Sequence, residues 1–440
     1  MTYFLLHLGC QMNQSDAERV RSVIESMGYR SVDREEEADL LGIMACSVRQ
    51  KAIDRVYARI HKWNQWKKNK SIITFVSGCI LPADKTSFLK LFDLLFGIED
   101  LPQLPTILRQ YGVPSQLSQT TPNDTSSTDS YWNIEPSYTS SFEAYVSIQN
   151  GCDKFCTFCA VPYTRGREVS RPSQEILDEI ETLVEKEYKS ITVLGQNVNS
   201  YGFDKRSSEM KFAELLHNIG EIGVRSKKEF WVYFTSPHPH DMYKDVLEVV
   251  SSYPVLANNI HLPIQSGDDK ILIKMNRNYR IAAYEKIVND IRTLLPSATL
   301  FTDIIVGFTG ENEAQFNNTL KAIRKYRYNM AYIAQYSPRP GAASYRWEDD
   351  ITTEVKSSRF HAATNVLKEV ALEENKKFLN EIQRVLVYKK ARRDGFYEGK
   401  TEGRVPIQFP SDNEALIGTF VDVHVTEARS FSFAGELCAP

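Results

Sequence analysis

The sequence lacks long apolar runs, and none approaches the ~20 consecutive residues that a membrane-spanning helix needs. The first residues, Met1–His7, lack the charged start and the cleavage site of a signal peptide. An excess of positive charge is also missing, because the formal net charge is −3. Any nucleic-acid binding must therefore come from local basic patches. We expect a cytoplasmic protein that makes no membrane contact.

Cysteines are few, but six of the seven fall into two sets of three. In a reducing compartment, clustered cysteines are more often metal ligands than disulfides. Three thiolates can hold three irons of a four-iron, four-sulfur (4Fe–4S) cluster and leave the fourth iron open to a ligand or substrate. The sequence therefore predicts two such clusters. The two sets are a tight CxxxCxxC motif of Cys152, Cys156 and Cys159, and the widely spaced Cys10, Cys46 and Cys79.

Residues 1–111 alternate strand and helix patterns, which predicts an N-terminal domain with a small parallel α/β sheet. Its predicted strands are Thr2–Leu8, Ala38–Ala45 and Ser71–Ser77, and one cysteine of the wide set lies just beyond each. Parallel strands end at the same edge of a sheet, so the three thiols would meet there. The alternative is three unrelated buried thiols in mid-strand.

The rest of the chain divides into three further segments. Residues 112–141 are dense in Ser, Thr, Pro, Asn and Asp, which predicts a loose linker. Residues 142–375 contain five strand–helix repeats and a closing strand, which predicts a partial (β/α)6 barrel. Residues 376–440 predict a small five-stranded β-barrel of nucleic-acid-binding type. The expected fold is therefore a multidomain α/β chain.

A structural zinc site is the alternative interpretation of the CxxxCxxC motif. Zinc normally takes four ligands from paired CxxC motifs, and no fourth cysteine follows Cys159 at such a spacing. His238-Pro239-His240 also lacks a further ligand at a suitable spacing, so we interpret it as loop structure. The number of ligands therefore favours an iron–sulfur cluster.

The segment Gly151–Pro172 resembles the radical S-adenosylmethionine (SAM) motif of the methylthiotransferases. It is most similar to the branch that makes 2-methylthio-N6-isopentenyladenosine in tRNA, and the C-terminal segment resembles the TRAM domain of that family, an RNA-binding β-barrel. Ala45 stands where the family usually has Thr, and we expect this small residue to leave ligation intact. Further segments with this resemblance are Leu8–Asn13, Cys46–Arg49, Leu194–Asn199, His261–Gly267 and Tyr336–Gly341.

The resemblance implies a mechanism, because the C2–H bond of adenine is neither acidic nor activated and its replacement needs a radical. The cluster on the CxxxCxxC motif would bind SAM and cleave it reductively to a 5′-deoxyadenosyl radical. An auxiliary cluster on the wide set would carry sulfur, which a second SAM methylates, so that each turnover uses two SAM. The target would be adenosine 37 in the tRNA anticodon stem-loop. We further expect a monomer and an electron donor such as flavodoxin or ferredoxin.

The resemblance also implies contacts with SAM or substrate for individual side chains, most of them at predicted strand ends. For one of these, Asp303, a structural role within its strand is an equally good interpretation. The basic residues of the C-terminal segment fit an RNA platform, beside Phe396 and Tyr397, or a solvated hairpin. Arg165, Arg167 and Arg171 follow the motif, where we expect phosphate contacts. The cofactor or substrate residues are Phe158, Gln196, Asn197, Gln265, Ser266 and Asp303, and the RNA-binding residues are Lys389, Lys390, Arg392 and Arg393.

Other functions remain open at this point. Within the same chemistry, the substrate could be N6-threonylcarbamoyladenosine in tRNA or an aspartate of a ribosomal protein, although Cys46–Arg49 and Tyr163–Gly166 favour the isopentenyl branch. A different class of function is a non-catalytic iron–sulfur regulator that binds RNA. Such a regulator would explain the cysteines and the β tail, but not a six-stranded barrel with polar strand ends.

Overall fold

The computed structural model has three main parts in chain order: a parallel sheet, a half barrel and a small closed barrel. It describes residues 1–48, 50–111, 129–205 and 208–438. Within these ranges, no helix has the length and apolar character needed to cross a bilayer.

The N-terminal sheet is entirely parallel, with the strand order β2-β1-β3-β4-β5. Its central strand β3 alternates between two cores: Leu40 and Met44 pack on the side of α1, and Leu41 and Ile43 pack on the side of α2. All of β3 is buried, as expected for a parallel strand covered on both faces. The strands are β1 (Thr2–His7), β2 (Arg30–Ser31), β3 (Leu40–Cys46), β4 (Ile73–Cys79) and β5 (Leu94–Leu95), and the helices are α1 (Gln11–Ser26), α2 (Gln50–Trp66), α3 (Pro82–Leu91) and α4 (Leu104–Gln110).

The segment after this sheet differs in part from the predicted linker. The short helix α5 (Asp129–Trp132) brings Tyr131 and Trp132 into the N-terminal core, where they are 4% and 3% exposed. The Tyr131 hydroxyl donates to Asp16 Oδ1 at 2.6 Å. Two adjacent aromatic side chains bury a large apolar area, so this part of the segment packs instead of remaining loose. The rest of the predicted linker, 112–128, lies outside the described residues.

The half barrel consists of two three-stranded parallel sheets, β10-β9-β6 and β11-β12-β13. An isolated bridge pairs Val232 of β10 with Leu256, which lies shortly before β11. The predicted partial barrel of six strands is confirmed, with an interruption between β10 and β11 because β11 begins only at Asn259. The six barrel strands are β6 (Glu143–Ser147), β9 (Ser190–Leu194), β10 (Trp231–Phe234), β11 (Asn259–His261), β12 (Thr299–Val306) and β13 (Met330–Gln335). The short strands β7 (Gln149–Asn150) and β8 (Val169–Ser170) form a separate two-stranded antiparallel sheet.

Helices cover the outside of the half barrel and bury its largest apolar core. Each of the long helices has an apolar stripe, such as Ile176, Ile180 and Leu183 in α7, that packs against the strands. The covering helices are α7 (Ser173–Glu185), α8 (Phe212–Ser226), α9 (Lys244–Ser252), α10 (Asp269–Lys274), α11 (Ile281–Leu294), α12 (Glu313–Tyr326) and α13 (Thr353–Asn375). The short helix α6 (Val161–Arg165) buries none of its residues and lies between β7 and β8 in the chain.

The C-terminal barrel is closed, with the strand order β14-β15-β16-β18-β17. It docks on the amino ends of the half-barrel strands. Gly403 O accepts from Thr299 Oγ1 at 2.7 Å, and Glu402 accepts from the Asn258 backbone N–H at 3.0 Å. The predicted five-stranded barrel is therefore confirmed. Its strands are β14 (Ile382–Lys390), β15 (Phe396–Thr401), β16 (Pro406–Pro410), β17 (Phe420–Ala428) and β18 (Phe433–Leu437).

Candidate active site

The wide cysteine set lies at the carboxyl edge of the N-terminal sheet. Cys46 and Cys79 are the last residues of β3 and β4 and are paired in register, while Cys10 directly precedes α1. The prediction that all three lie beyond their strands is wrong for Cys46 and Cys79, because the ladder continues through both residues. The alternative of three unrelated thiols in mid-strand is nevertheless wrong, because Cys46 and Cys79 end their strands and Cys10 lies outside any strand. A Cβ on Gly9 would lie 2.9 Å from the Cβ of Cys46, so the glycine lets the Cys10 loop approach this edge closely.

Asn13 joins the three strand ends that carry this set. Its side-chain Nδ2 donates to Leu8 O at 3.2 Å and to Ala45 O at 2.7 Å, and its Oδ1 accepts from the Cys79 thiol at 3.3 Å. Asn13 is fully buried, so these bonds do not compete with solvent.

The Cys79 thiol of the wide set is expected to be protonated at neutral pH when no metal is bound. Burial raises the pKa of Cys79 to about 12, against the opposite effect of the Arg165 guanidinium. Nearby Cys10 and Cys46 also raise this pKa, because negative charge on a neighbouring thiol disfavours a second thiolate. A bound metal would have to displace the proton, because the thiolate is the ligand.

The CxxxCxxC loop lies between β7 and β8, which pair antiparallel and close the loop at its base. The segment after α10 holds the loop from the other side. Thr157 donates from its backbone N–H to Met275 O at 3.0 Å and from its hydroxyl to Lys274 O at 2.8 Å. The Asn276 amide donates to the carbonyls of Lys154 and Phe155, each at 3.1 Å. The loop is thus held by the β7–β8 pair at its base and by tertiary contacts on its other side.

A buried arginine donates to one sulfur of this motif. Arg277 Nη1 lies 3.4 Å from Cys156 Sγ, and the arginine is 5% exposed. Burial raises the pKa of Cys152 to about 11 and the pKa of Cys159 to about 12, and the nearby Cys156 acts in the same direction on both. Each cysteine set therefore has one buried cysteine beside an arginine, Cys79 beside Arg165 and Cys156 beside Arg277.

Both sets fit a 4Fe–4S group by the chemistry of their donors, because all six cysteines are free. Across the described ranges, no three His, Cys, Asp or Glu side chains gather closely enough to hold a single metal ion. A 4Fe–4S cluster does not require such a gathering, since each thiolate binds a different iron. The donor set is therefore compatible with a cluster, and the assignment of the six cysteines as its ligands stays a prediction.

A cavity of about 480 Å³ lies at the centre of the half barrel, and all three parts of the chain line it. The N-terminal domain contributes Cys10, Gln11 and Met12, and the C-terminal barrel contributes Arg404. One cysteine of the wide set therefore faces the same space as the ends of the barrel strands. The barrel strands and their following loops contribute mainly Leu194, Gly195, Gln196, Phe234, Thr235, Ser236, Asn259, His261, Phe301, Asp303 and Tyr332.

Two of the predicted cofactor or substrate residues line this cavity. Gln196 follows β9, and its Oε1 is buried without a hydrogen-bond partner among the described residues. Asp303, in β12, lies 2.8 Å from His261 Nε2 and remains about one-third exposed. Both can therefore bond to a molecule in the cavity, and their role toward a cofactor stays a prediction.

The other four predicted residues are not among the cavity-lining residues. Asn197 donates to Asp241 at 3.0 Å, and Phe158 packs beside Phe308 and Tyr336. Gln265 bridges to β12 through its backbone N–H, which donates to Asp303 O at 2.8 Å. Ser266 is fully buried and accepts from the Asp268 N–H at 3.3 Å. These contacts support the fold, and a cofactor role for the four stays untested.

Two of the arginines after the motif do not lie where phosphate contacts are possible. Arg165 pairs with Asp16, and Arg171 pairs with Glu179; both arginines are buried, so the expected phosphate contact is wrong for them. Only Arg167 is exposed, beside Asp153. A charged side chain that is buried requires an ionic partner, because it has lost its hydration. Arg165 and Arg171 have such partners within the fold, whereas Arg167 remains at the surface.

The predicted RNA-binding residues occupy the exposed end of β14, at Lys389 and Lys390, and the turn to β15, at Arg392 and Arg393. Lys389 lies 3.3 Å from Glu398, and Lys390 lies 2.5 Å from Glu414. Arg393 lies over the ring of Phe396 at 4.0 Å, and Arg392 is exposed. This surface combines cations with an aromatic ring, and its binding of RNA stays a prediction.

Three residues of the site did not emerge from the sequence as site residues: Asn13, Arg277 and Arg404. Asn13 lies within the Leu8–Asn13 segment that carries part of the family resemblance, so that segment was a usable signal. Arg277 and Arg404 lie in turns outside any recognised motif, and only the folded chain brings them to the cysteines and the cavity.

Family models match three parts of the chain. The Radical SAM superfamily matches residues 146–323, the uncharacterized protein family UPF0004 matches residues 2–97, and the TRAM domain matches residues 376–438. Solved structures with a similar fold include the radical SAM methyltransferase TsrM from Kitasatospora setae, with a TM-score of 0.54 and 11% identity, covering 92% of this chain and 81% of that chain. The cobalamin-dependent radical SAM enzyme OxsB has a TM-score of 0.52 and 12% identity, covering 84% of this chain and 56% of that chain. At such identities the likeness shows the fold alone.

The half barrel with its cysteine loop is thus a radical SAM domain. Several full-length relatives carry the name tRNA-2-methylthio-N(6)-dimethylallyladenosine synthase. The protein of Carboxydothermus hydrogenoformans is 37% identical, covering 99% of both chains, and that of Clostridium tetani is 36% identical, covering 99% of this chain and 96% of the relative. The protein of Acidovorax sp. is 33% identical, covering 99% and 97%. The chain belongs to the family of these synthases, which confirms the resemblance found in its sequence.

Proposed function

We propose that the protein is a tRNA methylthiotransferase that converts N6-isopentenyladenosine 37 to 2-methylthio-N6-isopentenyladenosine. The observation that carries this proposal is the shared cavity, in which Cys10 of the wide set faces Gln196 and Asp303 of the radical SAM domain. A methylthiolation needs a sulfur source and a site of radical formation within reach of one substrate atom. The names of the full-length relatives support the same substrate.

The radical SAM domain implies SAM and one 4Fe–4S cluster, for which Cys152, Cys156 and Cys159 are the ligands we propose. When bound, these groups supply the radical that a C–H bond of this kind requires. The chain's own residues hold the loop by the Thr157 and Asn276 bonds and keep its cysteines mostly out of water. We further propose an auxiliary 4Fe–4S cluster on Cys10, Cys46 and Cys79, and the use of two SAM per turnover.

The partner we propose is the anticodon stem-loop of tRNA, with the C-terminal barrel as an additional RNA contact. The TRAM match supports this, because small β-barrels of this kind bind nucleic acid through surface cations and aromatic rings. Adenosine 37 lies in a loop, so its exposure costs less than the few kcal/mol needed to flip a paired base. Action on tRNA and the need for reduced thiols make the cytoplasm the location we expect. A monomer and a flavodoxin- or ferredoxin-type electron donor complete the proposal.

Nucleoside analysis of tRNA tests the substrate. A strain that lacks the gene should contain N6-isopentenyladenosine without its 2-methylthio form, and the wild-type gene should restore the modified nucleoside. Mass spectrometry of digested tRNA gives both amounts. Unchanged 2-methylthio-N6-isopentenyladenosine in the deletion strain would contradict the proposal. Loss of 2-methylthio-N6-threonylcarbamoyladenosine would instead identify the other tRNA substrate.

A second assay separates an enzyme from a non-catalytic regulator that binds RNA. The purified protein, reconstituted with iron and sulfide and then reduced, should cleave SAM to 5′-deoxyadenosine. Absence of cleavage in a preparation with a full iron content would favour the regulator.

A further inference from the structure

A cation from the radical SAM domain reaches into the wide cysteine set. Arg165 Nε lies 2.9 Å from Cys79 Sγ, close enough for a hydrogen bond to the sulfur. Arg165 is the last residue of α6, a helix that begins two residues after Cys159. The same loop that carries the SAM-cluster ligands therefore places an N–H donor on a sulfur of the other set.

The position of the Arg165 guanidinium is determined by partners from both domains. From the N-terminal domain, Asp16 Oδ2 accepts from Nη2 at 2.5 Å and Asn13 Oδ1 accepts from the same nitrogen at 3.2 Å. From the radical SAM domain, Asn150 Oδ1 accepts from Nη1 at 3.0 Å. The arginine side chain is 5% exposed and the Asp16 side chain is 0% exposed. These three bonds in a buried location leave the Nε–H aimed at Cys79 with little freedom to move.

Such a donor has a defined effect on an iron–sulfur cluster. The reduction potential of a cluster depends on its net charge, on hydrogen bonds to its sulfurs and on its exposure to solvent. Reduction adds negative charge to the cluster, so a donor on a ligand sulfur stabilises the reduced form more than the oxidised form. The pairing of Arg165 with Asp16 cancels part of the cation's long-range effect, but the directed N–H bond to the sulfur remains.

We infer that the Nε–H bond from Arg165 to the Cys79 sulfur raises the reduction potential of the auxiliary cluster. Arg165 is thus a positioning residue, which acts on the cluster through one of its ligands. This inference rests on the proposed function, because it requires a cluster on Cys10, Cys46 and Cys79. Arg277 stands in the corresponding relation to Cys156 of the other set. Each cluster would thus have its own arginine as a donor to one ligand sulfur.

The chain offers a matched control two residues away. Arg167 lies in the same loop and carries the same charge, but it is 73% exposed and pairs with Asp153 at the surface. Its removal changes the net charge by the same amount without removing a bond to sulfur. Arg167→Gln therefore controls for the net charge of the loop, whereas Arg165→Lys keeps the buried charge beside Asp16 and separates the directed bond from that charge.

The experiment uses the full-length chain with Cys152, Cys156 and Cys159 replaced by Ala, so that only the auxiliary cluster can form. The parent, Arg165→Gln, Arg165→Lys and Arg167→Gln are reconstituted with iron and sulfide. Each should hold about four irons. Redox titration followed by electron paramagnetic resonance then gives the midpoint potential. We expect a more negative midpoint for Arg165→Gln, a smaller shift in the same direction for Arg165→Lys, and the parental midpoint for Arg167→Gln.

Each outcome bears on the inference. An unchanged midpoint in Arg165→Gln at full iron content would overturn it, and so would an equal shift in Arg167→Gln. Should Arg165→Gln fail to hold iron, Arg165→Lys decides, because it keeps the charge: a more negative midpoint supports the inference and the parental midpoint overturns it. Failure of the parent itself to hold a cluster would contradict the proposed function instead.

Discussion

The guanidinium of Arg404 lies 3.9 Å from the centre of the Tyr233 ring, although the two residues belong to different barrels. Arg404 lies in the turn between β15 and β16, and this turn enters the amino end of the half barrel. Its Nη2 donates to Thr192 Oγ1 at 2.7 Å, on the inner side of β9. Because Arg404 also lines the cavity that Cys10 faces, the C-terminal barrel forms part of the cavity wall. The TRAM domain is therefore a structural part of the candidate active site as well as an expected RNA contact.

Replacing this arginine tests the contribution of the C-terminal barrel to the reaction. Arg404→Ala removes a cation and its stacking surface from the cavity. We expect kcat/KM for methylthiolation of an anticodon stem-loop to fall about tenfold, which corresponds to about 1.4 kcal/mol. The iron content and the cleavage of SAM without RNA should stay unchanged. Arg384→Ala is the control, because Arg384 joins the same two barrels through Glu229 at an exposed position. An equal loss in both variants would mean that Arg404 acts only through docking.

Iron content tests whether the two cysteine sets act independently. The reconstituted wild type should hold about eight irons, and replacement of Cys10, Cys46 and Cys79 by Ala should leave about four. The triple variant should lose methylthiolation but keep SAM cleavage, because the CxxxCxxC loop is held by contacts of its own. Iron and sulfide assays on the two proteins measure this directly. Loss of all iron from the triple variant would show that the sites depend on each other.

Asn13→Ala tests the hydrogen bonds that join the strand ends of the wide set. The change removes two buried N–H donors, to Leu8 O and Ala45 O, and we expect it to lower the free energy of unfolding by about 1–3 kcal/mol. Denaturant unfolding of the protein without clusters measures this. Gln14→Ala is the control on the same helix, since Gln14 donates to Thr139 at an exposed position. Similar midpoints for the two variants would show that the Asn13 bonds add little.

The stability of the protein should depend on pH through Glu168. Burial raises the pKa of this carboxyl from its ordinary value of 4.5 to about 7, and Asp153 and Asp204 act in the same direction. The folded state therefore binds more protons than the unfolded state between these values. As a result, the free energy of unfolding falls as the pH rises from about 5 to about 7.

Glu168→Gln removes this titration and keeps an oxygen that can accept from Ser200. The variant should gain stability relative to the wild type between pH 5 and pH 8, by up to about 2–3 kcal/mol. The difference in Tm across this range measures the gain, with Glu185→Gln at an exposed position of α7 as the control. A difference in Tm that stays constant with pH would contradict the assignment.

Much of the fold could be predicted because its signals are local. Strand and helix periodicities gave the N-terminal sheet, the six strands of the half barrel and the small closed barrel, with most ends shifted by a few residues. Short elements were missed, such as β2 and β5, because a strand of two residues has no period to detect. The packing of Tyr131 and Trp132 was also missed, since a polar composition around them indicated a linker.

The candidate site was also predicted only in part: the cysteines have a local signal in the sequence, whereas the orientation of the side chains around them does not. The six cysteines were predicted to be cluster ligands from their spacing, their positions near strand ends and the family resemblance. The structure places the wide set at one sheet edge, and the role as ligands stays a prediction. Asn197, Gln265 and Ser266 follow strands as predicted, yet their side chains or backbones bond within the fold. A position at a strand end does not determine whether a side chain faces the cavity or the surrounding loops.

The amino-acid sequence by itself determined the order of the three parts, the two sets of thiols and the family, because each depends on residues that are close in the chain or on a fixed spacing. Only the tertiary structure decided which arginines reach the site. Arg165 and Cys79 are 86 positions apart, and Arg404 and Thr192 are 212 positions apart. Contacts at such separations depend on how whole domains pack, and a charged side chain looks the same in the sequence whether it ends at the surface or beside a buried sulfur.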